Sequence, residues 1–142
     1  MFRFTVKYVG FLKRVPLLPQ IFESWLKMGS LVVTPQVLTV IDEIETEVSK
    51  WDGITIGNHK YGGIQFNRNG REIGHIHGNG MLDIPLTRKL KLQFIEQGKL
   101  LDHHTIKDTG WSSFEIHTLT DKDRAIELLR ESYELRGLFP YA

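Results

Sequence analysis

Apolar residues recur every three or four positions in three segments of the chain, which is the spacing of one face of a helix. The first segment, residues 35–51, follows a Thr-Pro pair typical of a helix start and places four apolar side chains on one face: Val37, Ile41, Ile44 and Val48. The second segment covers residues 86–98. The third covers residues 120–137, where Thr120 and Asp123 resemble a capping box. Because a glycine closes the second and third segments, the pattern predicts three amphipathic helices with defined ends.

The period changes to two between these helices, which predicts β-strands. Their expected positions are residues 54–56, 64–68, 71–77, 81–84, 100–106 and 111–118. The Asn69-Gly70 pair between the second and third strands is the strongest short-range signal for a β-hairpin with a two-residue turn. Residues 107–110 would close a second hairpin. Two hairpins, each followed by a helix, indicate an α+β fold of two layers, in which helices pack on one face of an antiparallel sheet.

The chain is expected to divide into an N-terminal arm, residues 1–34, and a single α+β domain, residues 35–142. The arm contains a short helical segment at residues 20–28 and is basic, with a single acidic residue, Glu23, against Arg3, Lys7, Lys13, Arg14 and Lys27. Such an arm would suit a contact with a membrane surface, docking beside the acidic first helix of the domain, or a simply solvated end. Since its apolar stretch is short and interrupted, we expect the arm to pack on the domain.

The amino-acid composition mainly excludes certain classes of protein and kinds of site. The chain has 142 residues, 41% of them hydrophobic and 25% charged, which is typical of one globular domain. Eighteen Lys and Arg against 17 Asp and Glu give a net charge of +1, so no global field attracts nucleic acid. The absence of cysteine excludes thiolate metal sites and a cysteine nucleophile. No apolar run is long enough to span a bilayer, and we expect a cytoplasmic protein.

The strand pattern of the first hairpin assigns its side chains to two faces, because paired residues point the same way. With a two-residue turn, Phe66 pairs with Ile73 and Ile64 with His75. One face, the apolar one, would hold Ile64, Phe66, Ile73, His75 and His77, and the other Gln65, Asn67, Glu72 and Ile76. A bulge at Gly74 would invert the faces beyond it.

The same argument for the second hairpin, with a four-residue loop, pairs His103 with Phe114. Its apolar face would then hold Leu101, His103, Thr105, Ser112, Phe114 and Ile116, with His104 and Trp111 on the opposite face. Three histidines, His75, His77 and His103, would therefore point into one interior, where Asp83 on the next strand could join them.

Three interpretations of these histidines stay open: a metal site, metal-free acid–base chemistry, and structural hydrogen bonding. Zinc needs a third ligand, which would have to come from Asp83 or His103 across strands, so we expect no tightly bound transition metal and no cofactor. The candidate catalytic residues are His75, His77 and His103. The candidate ligand-binding residues are Asp83, Arg88, His104 and Trp111.

Several unusual strings between Trp51 and Tyr133 occur together: GGIQF, GREIGHIHGNGMLDIPL, DHHTIKDTGWSSFEI and AIELLRESY. In these strings the chain resembles the luciferase-domain family, named after the fungal luciferases. The fungal enzymes are oxygenases that oxidise a hydroxylated pyrone with dioxygen, without a known metal or flavin. The resemblance implies that the matching polar and aromatic positions are functional: His75, His77, Asp83, His104 and Trp111.

The segment HHTIKDTGWSSFEI and the final helix are also similar to MmcQ/YjbR-like domains, which are suspected nucleic-acid or ligand binders. Two functions follow. The first is a pocket lined by His75, His77 and His103 that binds a small aromatic or enolic ligand, where a histidine removes a proton and the enolate reacts with dioxygen without a metal. The alternative is a non-catalytic module that binds nucleic acid or protein through a basic surface; for nucleic acid, an ordinary solvated surface is the simpler interpretation of the same lysines and arginines.

Overall fold

The computed structural model describes residues 35–102 and 108–138. Three helices lie within these residues: α1 (Pro35–Val48), α2 (Arg88–Glu96) and α3 (Asp121–Leu138). The strands are β1 (Ile54–Asn58), β2 (Ile64–Arg68), β3 (Arg71–Ile76), β4 (Met81–Pro85), β5 (Leu101–Asp102) and β6 (Trp111–Glu115). The predicted N-terminal arm, residues 1–34, lies outside the described residues.

The six strands form one open sheet in the order β1-β2-β3-β4-β6-β5, and every neighbouring pair is antiparallel. One hydrophobic core joins the strands to all three helices, with contributions from Ile44 of α1, Phe94 of α2 and Leu129 of α3. The predicted α+β class with an antiparallel sheet is therefore confirmed. β4 lies inside the sheet, and all five of its residues are buried.

The predicted hairpin at Asn69-Gly70 is also confirmed. Both turn residues have positive φ, 49° and 79°, as a two-residue hairpin turn requires. Phe66 and Ile73 are buried, while Gln65 has an intermediate exposure. The turn residues thus place the apolar side chains next to the turn as the alternation of polar and apolar positions predicts.

The predicted register beyond Ile73 is wrong, because β3 contains a bulge. Asn67 pairs with Glu72 and Phe66 pairs with Gly74, so Ile73 is an extra residue with no partner on β2. A one-residue shift moves the following side chains to the opposite face. His75 therefore pairs with Gln65, on the face turned away from Phe66, and Ile76 enters the core instead.

Gly74 follows the bulge at a point where β3 approaches its neighbours closely. A Cβ at this position would lie 2.9 Å from the carbonyl oxygen of Asp83 and 3.0 Å from Leu129 Cδ2. The backbone φ angle of Gly74 is +155°. A glycine at this position allows β3 to pack against β4 and α3 at once. This close packing fixes where the His75 side chain leaves the sheet.

The second hairpin also has a different register from the predicted one. Leu101 pairs with Ser113, which places Leu101 on the face opposite Ser112, not beside it. The Gly110 carbonyl accepts a hydrogen bond from the Leu86 N–H at 2.9 Å, so this part of the predicted loop is held at the end of β4. His103 and His104 lie outside the described residues.

The start of α3 differs by two residues from the predicted capping box. The Asp121 carboxylate accepts hydrogen bonds from the backbone N–H groups of His117 and Thr118, at 2.9 and 2.8 Å. Thr118 and Asp121 thus occupy the positions that the sequence suggested for Thr120 and Asp123. Within the part of the chain that the structure describes, no helix is long and apolar enough to cross a membrane.

Candidate functional site

A row of polar side chains crosses the sheet on the face opposite the hydrophobic core. The register places Gln65, His75, Asp83 and Ser113 side by side on β2, β3, β4 and β6. Asp83 is 1% exposed and Ser113 is 2% exposed. Since burying a carboxylate is costly without polar partners, the contacts of Asp83 define the site.

Asp83 is the centre of these contacts. Its Oδ1 accepts a hydrogen bond from Ser113 Oγ at 2.5 Å. Its Oδ2 lies 3.0 Å from His77 Nε2 and 3.3 Å from His75 Nε2. Two imidazoles from one short segment therefore direct the same ring nitrogen at one carboxylate oxygen.

The second ring nitrogen of His75 contacts another carboxylate. His75 Nδ1 lies 2.5 Å from Glu72 Oε1, three residues earlier on the same bulged strand. Burial by itself lowers the pKa of His75, but hydrogen bonds to Asp83 and Glu72, and the charges of both groups, raise it to about 9. In this arrangement both carboxylates hold the His75 ring in one fixed orientation.

A third histidine, His59, reaches the same place from the turn between β1 and β2. The turn approaches the β3 end closely because Gly63 has no side chain: a Cβ there would collide with the Ile76 carbonyl oxygen and lie 2.9 Å from His77 Cα. The His59 ring stacks on the His75 ring, with centroids 3.7 Å apart and planes 8° from parallel. One ligand atom from each of His59, His75 and His77 lies within 4.8 Å of the others.

His59 is 8% exposed, and its buried Nδ1 has no hydrogen-bond partner among the residues that the structure describes. Burial lowers the pKa of His59, and the neighbouring His75 lowers it further by charge repulsion. A neutral buried imidazole with an unpaired nitrogen is costly. This nitrogen is therefore the polar group of the cluster that most needs a partner.

Two aromatic side chains flank the three histidines, which together with Asp83 we call the histidine cluster. The half-buried Trp111 ring lies 5.7 Å from the His75 ring. The exposed Tyr61 ring lies 5.5 Å from the His59 ring, edge to face. Such rings offer apolar faces beside a polar centre, which is the usual composition of a site for a small planar molecule.

Of the residues that the sequence singled out, the structure brings together His75, His77, Asp83 and Trp111. Their common face is the one opposite the core, so the expectation that His75 and His77 lie on the apolar face of Phe66 is wrong. Arg88 lies apart from them at the start of α2, 69% exposed and 3.9 Å from Asp108.

The sequence analysis missed His59, Glu72 and Ser113. His59 could have been found from topology, since alternate turns of an antiparallel meander lie at the same end of the sheet. The turn before Ile64 and the turn after Ile76 are such a pair. Glu72 and Ser113 depend on the bulge and on the register of β6, which have no equally local signal.

Two of the cations considered for the alternative basic surface make contacts within the domain. The Arg68 guanidinium lies 3.8 Å from the Tyr133 ring centroid and donates to the Tyr133 carbonyl at 2.7 Å. Lys91 is buried and donates to the Thr109 carbonyl at 2.9 Å. These two cations help hold the domain together.

An open groove of about 590 Å³ lies elsewhere, between α1 and α3. Its lining includes Asp42, Glu47 and Asp123 and none of the histidines. Lys122 crosses it to reach Glu43 at 2.8 Å. The groove is thus a charged space between two surface helices, separate from the histidine cluster.

The family model of the Luciferase domain matches residues 70–132. This match confirms the resemblance inferred from the sequence strings. The matched segment contains His75, His77, Asp83 and Trp111, whereas His59 lies before the first matched residue. No curated protein and no solved structure matches the chain.

Proposed function

We propose that this chain, with its match to the Luciferase domain, binds a small aromatic or enolic molecule at the histidine cluster and oxidises it with dioxygen. The observation that carries the proposal is the pair of imidazoles, His75 and His77, that contact the buried Asp83 beside Trp111, with His59 stacked on His75. The proposed binding of a ligand at these residues does not depend on the proposed oxidation.

The chemistry of the histidine cluster favours an acidic oxygen. Imidazole N–H groups donate hydrogen bonds to an enolate or phenolate oxygen, and a buried setting strengthens each of these contacts. Trp111 and Tyr61 offer ring faces on which a planar molecule can stack. A flat ligand with one ionisable oxygen satisfies both features at once.

In the proposed reaction the enol O–H of the ligand transfers its proton to an imidazole nitrogen of the histidine cluster. The enolate carbon is electron-rich, and it forms the new bond to one oxygen atom of dioxygen with both electrons supplied by the ligand. The O–O π bond breaks, and the resulting peroxide anion takes the proton back from the imidazolium. The hydroxylated pyrone of the fungal enzymes that this family resembles belongs to the same chemical class.

Thermal shift with a matched pair of small molecules tests the binding step. We expect a hydroxylated methylpyrone to raise the melting temperature and its methyl ether, which has no acidic oxygen, to leave it unchanged. A ligand at 100 times its Kd stabilises the folded state by about 2.7 kcal/mol, a readily measured shift. Equal effects of the two compounds, or none from either, would contradict the proposal.

A variant pair places the effect at the histidine cluster. His77→Gln keeps polar capacity but removes the imidazole, and we expect it to abolish the pyrone-dependent shift. His117→Gln is the control, because His117 is an exposed histidine paired with Glu115. Consumption of dioxygen with the pyrone by the wild-type chain, and not by His77→Gln, would support the oxidation step.

The alternative, a non-catalytic module for nucleic acid or protein, has less support. Arg68 and Lys91 already donate to backbone carbonyls of the domain, so a phosphate backbone would have to displace these hydrogen bonds.

A further inference from the structure

We infer that the histidine cluster binds one divalent first-row transition-metal ion. His75, His77 and Asp83 would be its ligands, and His59 would supply a third imidazole ligand. The inference adds a cofactor to the site of the proposed function, but it does not depend on which organic molecule binds there. It also replaces the expectation of a metal-free site.

The distances around Asp83 agree with metal coordination. A metal ion lies about 2.0–2.2 Å from imidazole nitrogen and carboxylate oxygen, so neighbouring ligand atoms are about 3.0 Å apart at right angles and about 3.4 Å apart in a tetrahedron. Asp83 Oδ2 lies 3.0 Å from His77 Nε2 and 3.3 Å from His75 Nε2. Two histidines and one carboxylate arranged in this way form a ligand set that leaves positions open for other groups.

The contacts behind the ligands are those that metal-binding residues usually have. A ligating histidine donates its second N–H to a carboxylate, and a ligating carboxylate is itself hydrogen-bonded. Glu72 Oε1 lies 2.5 Å from His75 Nδ1, which leaves Nε2 to face Asp83. Ser113 donates to Asp83 Oδ1 at 2.5 Å, which leaves Oδ2 to face the histidines.

His59 supplies the independent observation. Within residues 35–102 and 108–138 its buried Nδ1 has no hydrogen-bond partner, and its side chain belongs to the group of three histidines whose ligand atoms lie within 4.8 Å of one another. A bound cation would accept the lone pair of this nitrogen once the His59 ring turns away from the His75 ring on which it stacks. No metal was expected from the sequence because a third ligand would have to come from Asp83 or His103 across strands, and His59 adds a third imidazole that was not foreseen.

The donor set selects the class of metal. Imidazole suits zinc, iron, nickel and copper, while Mg²⁺ and Ca²⁺ prefer sites made of oxygen atoms. The chain has no cysteine, so no thiolate selects Cu(I). The inferred occupant is therefore a divalent ion that accepts both nitrogen and oxygen donors.

Zinc titration of the full chain, first stripped with a chelator and dialysed, tests the inference without any organic ligand. We expect one Zn²⁺ per chain in competition with a chromophoric chelator, together with a rise in melting temperature. We expect Mg²⁺ at the same concentration to produce neither effect. No zinc binding, or an equal response to Mg²⁺, would overturn the inference.

Three variants locate the ion. We expect His77→Gln to weaken Zn²⁺ binding at least 100-fold and His117→Gln to bind as the wild type does. Glu72→Gln keeps every ligand and removes only a positioning residue, so we expect a loss of about 10–100-fold in affinity. Unchanged binding in both His77→Gln and Glu72→Gln, or loss of binding in His117→Gln, would place the ion elsewhere and refute the site.

If His77→Gln fails to fold, the zinc affinity of Glu72→Gln still tests whether the ion binds at the histidine cluster.

The zinc titration and the pyrone thermal shift test the two proposals separately. Zinc binding without a pyrone response contradicts only the proposed function. A pyrone response in the stripped protein that binds no zinc contradicts only the metal.

Discussion

Replacing Gly74 with alanine tests the close packing that positions His75. The new methyl group would lie 2.9 Å from the Asp83 carbonyl oxygen, 2.9 Å from Ile84 Cγ2 and 3.0 Å from Leu129 Cδ2. The carbonyl belongs to the backbone of the central strand β4, which cannot move without disturbing the pairing on both sides. Ile84 and Leu129 are fully buried and have no free space to enter.

Two costs add in this variant. Forcing extra volume into a well-packed core costs about 1–3 kcal/mol. Holding a non-glycine residue at a φ of +155° costs a further 1–3 kcal/mol, to order of magnitude. We therefore expect Gly74→Ala to lower the free energy of unfolding by roughly 2–6 kcal/mol, a large part of the stability of a domain this size.

Urea unfolding followed by circular dichroism measures the effect. The matched control is Gly57→Ala in β1, where an added Cβ meets no atom within 4 Å. Alanine is better than glycine in a strand by about 0.5–1 kcal/mol, so the control should be neutral or slightly stabilising. Substitutions at surface positions usually change the free energy of unfolding by less than about 0.5 kcal/mol. A change that small in Gly74→Ala would refute the close approach of β3 to β4 and α3.

Three further predictions concern the frame around the site. Phe66→Ala should lower the free energy of unfolding by about 3–5 kcal/mol because Phe66 is fully buried, while Phe66→Leu should cost clearly less; equal losses in urea unfolding would argue against tight packing there. Ser132→Ala should cost about 1–3 kcal/mol, because the buried Ser132 hydroxyl donates to the Pro85 carbonyl at 3.0 Å; a neutral variant would show that this bond adds nothing. Burial raises the pKa of Asp121, but hydrogen bonds from the N–H groups before α3 outweigh it, and the folded-state pKa is lower than the ordinary 3.8. The Asp121 carboxylate therefore stabilises the fold above pH 3.8 and less as the pH falls through the folded-state pKa, so the deficit of Asp121→Asn at neutral pH should shrink in acid; a constant deficit would contradict the assignment.

The first hairpin shows what can be predicted from local sequence. Asn69-Gly70 fixes a two-residue turn because both positions tolerate positive φ, and the alternation of polar and apolar residues then places Phe66 inside. These are short-range effects. They hold whatever the rest of the chain does.

The side of the sheet on which His75 lies could not be predicted in the same way. It depends on Ile73 being an extra residue in β3, and Ile73 is held there by burial in a core that distant elements complete. The predicted register of β5 is wrong for a similar reason, because the Gly110 carbonyl accepts a hydrogen bond from Leu86, which lies outside the hairpin. One added residue exchanges the two faces of a strand, so local periodicity cannot predict such a site when the cause of a bulge is not local.

The site itself was predicted in part. Asp83 joining the histidines follows from the next strand lying beside β3, which is a short-range pairing. His59 is separated from His75 by a whole hairpin, and only the approach permitted by Gly63 brings their rings into contact. The chemistry of the histidine cluster is therefore assembled by topology as much as by the His-x-His spacing.

Anomalous diffraction at the zinc absorption edge, from crystals of the chain grown with Zn²⁺, would show whether the histidine cluster holds a metal ion. We predict one dominant peak, about 2.0–2.2 Å from His75 Nε2, His77 Nε2 and an Asp83 carboxylate oxygen. A peak confined to surface residues such as His117, or no peak among the three cluster histidines, would contradict it.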